Sequence, residues 1–157
     1  MAISQAMCTS FKVEILDALH NFGTTVTRAG TGADTFKIAL YTASANLGPT
    51  TTAYTATNEV SSSGTGYSTG GNTLTISVSP TSGNNSSNVP TAYISFSNSS
   101  WANATFTCRG ALIYNDTATG NPSVAVLDFG SDKTVSNETF TVIFPTPDAN
   151  NAIVRIS

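Results

Sequence analysis

Beyond residue 35 apolar and polar residues alternate through most of the chain, and that alternation predicts strands. The strongest case is Ala104–Tyr114. Phe106, Cys108, Gly110, Leu112 and Tyr114 share one face by period two, while Ala111 and Ile113 make the other face apolar as well. A strand apolar on both faces is covered on both sides, so this one is expected deep in a sheet. The same alternation marks Thr35–Thr42, with Phe36, Ile38 and Leu40 inward, and Thr73–Ser79, with Leu74, Ile76 and Val78 inward. Thr91–Ser97, Ser123–Phe129, Thr139–Phe144 and Ala152–Ile156 follow, with a shorter extended piece at Tyr54–Val60. Ser123–Phe129 is the expected partner of 104–114, through a turn at Asp116–Pro122. Segments 43–52, 61–72, 80–90 and 130–137 are rich in Gly, Asn, Ser and Pro and read as loops or turns, 61–72 as a flexible one.

Period 3.6 occurs once. Cys8, Phe11, Ile15, Leu19 and Phe22 form a one-faced stripe that predicts a helix over 4–22, N-capped by Ser4 and stopped at Gly23. His20 falls in its last turn. The helix either plugs the sheet or docks on a neighbouring subunit. No helical crossover follows residue 23, so the strands are expected to pair antiparallel. The prediction is one domain: an N-terminal amphipathic helix (1–22), a linker (23–34) and a β-sandwich or jelly roll of about eight strands (35–157).

Composition narrows the function classes. Only 10% of the 157 residues are charged, whereas Ser, Thr and Asn exceed a third, so the surface is hydroxyl-rich rather than ionic. A net charge of −3 with six scattered basic residues argues against nucleic acid. No apolar run is long enough for a membrane span and no signal peptide is evident, which leads to synthesis in a cytoplasm. Cys8 and Cys108 are then expected to be reduced core residues, with a disulfide open only if helix and sheet bring them together.

Candidate chemistry is sparse. Gly66-Tyr67-Ser68-Thr69-Gly70 has the spelling of a hydrolase nucleophile elbow, but a strand follows it where that motif needs a helix. His20 is the only histidine, too few for a multi-histidine metal site. Asp128, Asp132 and Glu138 flank a predicted turn without the spacing of a Ca²⁺ loop. Trp101, with Tyr41, Tyr54, Tyr67 and Tyr93, either caps the core or forms a sugar-stacking platform. Arg109 is expected to pair with a carboxylate, Asp128 being the nearest candidate, or to contact another subunit. The reading calls for no catalytic residue, no cofactor and no metal, and therefore for a non-enzyme.

Several segments together resemble small structural proteins of tailed bacteriophages: Thr35-Phe36-Lys37-Ile38-Ala39-Leu40-Tyr41-Thr42, Thr51-Thr52-Ala53-Tyr54-Thr55, Asn58-Glu59-Val60, Gly64-Thr65-Gly66-Tyr67 and Gly70-Gly71. Arg109-Gly110-Ala111-Leu112-Ile113-Tyr114-Asn115, Ala125-Val126-Leu127-Asp128-Phe129-Gly130 and Phe140-Thr141-Val142-Ile143-Phe144-Pro145 fit the same pattern, so the likeness spans about residues 5–157. It implies a virion component of the capsid cement or decoration type, on the capsid exterior, bridging major capsid subunits and associating with copies of itself as a dimer or trimer. No functional residue carries over from the family. Partner contacts are expected at Phe11, Ile15, Leu19, Phe22, Trp101 and Arg109. The alternative is a tail or fibre protein that binds host-surface glycan; a polysaccharide depolymerase ranks last, because no pair of carboxylates stands out.

Overall fold

A computed structural model describes residues 2–23 and 32–157. Among them eight strands and one short helix form the expected mainly-β, antiparallel sandwich. The larger sheet contains β1 (Ala6–Met7), β2 (Phe36–Tyr41), β3 (Asn72–Leu74), β6 (Ser99–Asn115) and β7 (Ser123–Val142), in the order β1-β7-β6-β2-β3. The smaller contains β4 (Ile76–Asn84), β5 (Pro90–Phe96) and β8 (Val154–Ile156), in the order β4-β5-β8. The helix, α1, spans Thr9–Leu16.

β6 is the middle strand of the larger sheet, as its two apolar faces require. It pairs with β7 from Gly110↔Asp128 to Tyr114↔Ser123, and on its other side with β2 from Gly110↔Tyr41 to Asn115↔Phe36. One face of β2 carries Phe36, whose ring lies 5.9 Å from Phe96 of β5 and 4.2 Å from the parallel ring of Phe22. Here the two sheets and the N-terminal segment meet. On the other face Tyr114 stacks on Tyr54 at 4.6 Å, so the 43–72 connection covers the side away from the smaller sheet. Leu112, Ile113, Val124 and Val126 are fully buried between these layers.

Five elements differ from the sequence reading. The helix is eight residues rather than nineteen. Ala6–Met7 is drawn into the sheet against Ala125 and Val126, and Ile3 bridges Leu47, so strand pairing overrides helical period before Thr9. Ser4 donates its N–H to Leu47 O rather than capping, and the N-cap position is held by Cys8 without a side-chain bond. Ala18 at φ 57° turns the chain after the helix, so His20 and Phe22 reach the core from a loop. The predicted linker falls largely on 24–31, outside the described residues.

Thr73–Ser79 is not one strand. The chain leaves the larger sheet after Leu74 and enters the smaller at Ile76, with Thr75 as the joint. It returns at Ser97–Asn98, and Ser97 N–H donates to Thr75 O at 2.8 Å, tying the two crossings together. The polar stretch 130–137, read as a turn, lies inside one continuous β7. Lys133–Ser136 pairs with Thr105–Cys108, and residues 129–132 form a bulge opposite Arg109 with Gly130 at φ 74°. Trp101, placed in a connection, is within β6. Finally, β4 and β5 consume most of 80–90, leaving a turn at 85–89; Pro80 is tolerated because β4 is a sheet edge with a register shift there.

Candidate functional site

The most exposed large aliphatic side chains near the N-terminus lie on α1. Leu16 is 86% exposed and Val13 57%, and Ile156 on β8 is 51%. Phe11 is the residue that α1 commits to the core, so its outward side keeps Val13 and Leu16 in contact with water. A groove of about 380 Å³ runs between α1 and β8, lined by Met7, Lys12, Ile15, Leu16, Arg155 and Ile156. Ile15 also borders two neighbouring depressions, one over β5 and β8 and one beside Phe22 and Pro80. Together they make a continuous apolar face on the smaller-sheet side. Two cations rim the main groove, Lys12 and Arg155. Neither forms a salt bridge among the described residues, whereas Lys37 pairs with Asp116 and Arg109 with two aspartates. β8 is a sheet edge, and among the described residues no backbone bond is made along its outer side.

The residues predicted to contact partners divide between core and surface. Phe11, Phe22 and Trp101 are corrected to core positions. Phe11 and Phe22 pack on His20 and on each other, and Trp101, 3% exposed, lies among Tyr67, Phe106 and Phe140. Phe11 and Trp101 are occupied by their own fold, and Phe22, though only 7% exposed, still borders the two depressions beside Ile15. Ile15 is half-buried and Leu19 exposed, and only Ile15 belongs to the groove. Arg109 makes the anticipated pair, its Nε 3.5 Å from Asp128 Oδ1, with Asp132 Oδ1 3.7 Å from its other arm. It thereby spans the β7 bulge. Lys12, Val13, Leu16, Arg155 and Ile156 were missed. The available signal was Val13 and Leu16 on the outward side of a helix whose inner stripe was already complete.

The other candidates resolve into scaffold. The sugar-stacking platform does not form, because Trp101, Tyr41 and Tyr67 are buried. In 61–72 the elbow-like spelling is a brace. Glu59 Oε1 accepts from Tyr67 OH at 2.6 Å and from Gly70 N–H at 2.7 Å, and its Oε2 accepts from Tyr54 OH at 2.7 Å. Tyr67 OH in turn accepts from Leu40 N–H, and Tyr114 OH donates to Gly70 O. The segment read as flexible is therefore bonded to β2 and β6. Ser68 takes no part in a nucleophile–base pair. His20 donates from Nε2 to Glu14 at 2.8 Å, and its Nδ1 accepts from Asn115 Nδ2 at 3.2 Å. That tautomer is fixed because Asn115 Oδ1 already accepts two backbone N–H groups and its amide also donates to Asp34. Both histidine nitrogens are thus engaged, Nε2 within the N-terminal segment and Nδ1 joining that segment to the end of β6. Among the described residues no three His, Cys, Asp or Glu side chains converge as metal ligands. Cys8 and Cys108 are free and buried; burial, reinforced by Asp132, pushes the Cys108 thiol up to about 12.

The buried phenols predict alkaline unfolding. Tyr41, Tyr67 and Tyr114 are raised above the ordinary tyrosine value, first by burial, then by Glu59 for Tyr41 and Tyr67 and by Asp116 for Tyr114. A group raised in the folded state contributes stability in full below its unfolded value and loses it as pH climbs. The unfolded chain therefore gains from about pH 10 upward, at up to roughly 4 kcal/mol per pH unit for three phenols. Phenolate absorbance and loss of circular dichroism are expected to appear together, above pH 10. Phenolate from more than two of the five tyrosines appearing well before the fold is lost would contradict the burial.

No protein-family model matches the chain, and neither a curated protein nor a solved structure matches it.

Proposed function

We propose that the protein is a non-enzymatic structural component of a tailed-bacteriophage virion, a cement or decoration protein. It sits on the outer capsid surface and bridges major capsid subunits. The observation that carries the reading is the apolar α1–β8 face, with Leu16 and Val13 standing in water on a sandwich whose surface is largely hydroxyl and amide, Ile143 at 75% exposure being a large aliphatic exposed elsewhere. A contiguous apolar face rimmed by polar residues marks an interaction site. The bacteriophage-like segments supply the setting, and low charge suits a protein packed in many copies on one symmetric shell. The glycan-binding alternative loses its main support with the burial of Trp101.

Labelled antibody on purified virions tests the placement. Label over the head is expected, and label confined to the tail overturns it. Removing residues 1–22 is unsuitable as a test of attachment, because Ile3, Cys8, Phe11 and Phe22 belong to the core. Leu16→Asp is the better variant. It is expected to abolish head occupancy while leaving the thermal midpoint within about 2 °C, since the side chain is already in water. Undiminished occupancy would remove α1 from the interface.

A further inference from the structure

We propose that the groove between α1 and β8 receives an extended partner segment with apolar side chains and carboxylates, added as a fourth strand on β8. The proposal rests on the reading of this face as an attachment surface, though not on where in the virion the protein sits. Three observations converge. The floor of the groove is apolar, formed by Ile15, Leu16 and Ile156. Among the described residues its two cations, Lys12 and Arg155, make no salt bridge, Arg155 acting only at longer range on Asp148, in a chain whose net charge is −3. And β8 closes the smaller sheet with its outer backbone unpaired among the described residues.

Each observation specifies one property of the occupant. An open strand edge offers N–H and C=O groups at the spacing of another strand, so it takes an extended backbone. An apolar floor takes aliphatic side chains. Two cations at the rim without a direct carboxylate partner favour carboxylates and disfavour lysines, which sets specificity and approach more than raw affinity. The other strand edges are less suited. β4 carries Pro80 and register shifts, and the part of β7 left open beyond its two-residue pairing with β1 carries the Gly130 bulge with Lys133 exposed, both devices that discourage edge pairing.

The test uses the full chain and two synthetic hexapeptides, Glu-Val-Glu-Ile-Glu-Val and its counterpart with lysine in place of each glutamate. Titrations are followed by backbone amide shifts at low salt. The acidic peptide is expected to bind about tenfold tighter than the basic one, with shifts confined to Val154–Ser157 and α1. The double variant Lys12→Glu with Arg155→Glu is expected to reverse the preference. All these positions are exposed, and an unchanged amide spectrum elsewhere verifies folding. Failure of the acidic peptide to bind, equal binding of both, or shifts mapping elsewhere would overturn the proposal. So would concentration-dependent dimerisation of the peptide-free protein that Leu16→Asp abolishes, which assigns the groove to a second copy. None of these readouts involves virions, so a failure of the capsid placement is recognised separately.

Discussion

Gly71→Ala is expected to destabilise the protein by more than about 4 kcal/mol and to lower its melting temperature by roughly 10 °C or more. Gly71 sits at φ 72°, where a side chain alone costs about 1–2 kcal/mol. The larger cost is steric. A Cβ there would lie 1.8 Å from the carbonyl oxygen of Ile38 and 2.8 Å from Ala39 Cα. Both are backbone atoms inside β2, so no rotamer change relieves the overlap. The 70–72 turn would have to leave β2, breaking the Ile38↔Asn72 pairing and withdrawing Gly70 from Tyr114 and Glu59. Gly120→Ala is the control. Its φ is 86°, but nothing lies within 4 Å, so it should lose only the conformational part. Equal midpoints for the two variants in thermal unfolding would rule out the close-approach argument.

Glu59→Ala is expected to cost about 3–5 kcal/mol, a large fraction of the stability of a domain this size. One carboxylate accepts from three donors, and two of them, Gly70 N–H and Tyr67 OH, belong to buried residues. Alanine would leave the Gly70 N–H without an acceptor beneath the 61–72 segment. Tyr54 is half-exposed and can turn to water, so its share is small. Glu59→Gln keeps one carbonyl oxygen for Tyr67 and Gly70, and is expected to lose only about 1–2 kcal/mol. Urea unfolding measures both; the midpoints should separate with little change in slope. A Gln variant as unstable as the Ala variant would mean that charge, rather than acceptor geometry, holds the loop.

The elements that the sequence announced are those whose period decides their environment. β2, the Gly110–Tyr114 half of β6 and the first half of β7 alternate or are apolar on both faces, and each pairs as expected. The failures have physical causes outside local pattern. The 130–137 stretch has turn composition, yet its neighbour in space is the Thr105–Cys108 segment, and backbone pairing with it overrides propensity. Thr73–Ser79 alternates without interruption because both sheets present an inner face. The period therefore carries no mark where the chain changes sheets at Thr75. The 4–22 stripe was genuine in its buried members, but Cys8, Phe11 and Phe22 are brought together by a helix cap, a helix and a loop in turn. The proposed attachment face was the least legible part. A periodicity argument selects residues that turn inward, and this face is made of Val13, Leu16 and Ile156, which do not.

The two crossings between the sheets lie side by side, with Ser97 bonded to Thr75. They act as a seam. Neither sheet can peel away from the other without opening both passages, and Phe36, Phe96 and Phe144 fill the space beside them. The smaller sheet has only three strands, one of them three residues long, and would be marginal alone. Stitched in this way, it shares the cooperativity of the larger sheet instead of fraying first. The apolar face is therefore carried on a platform as durable as the whole molecule, which the proposed attachment to a rigid shell would require.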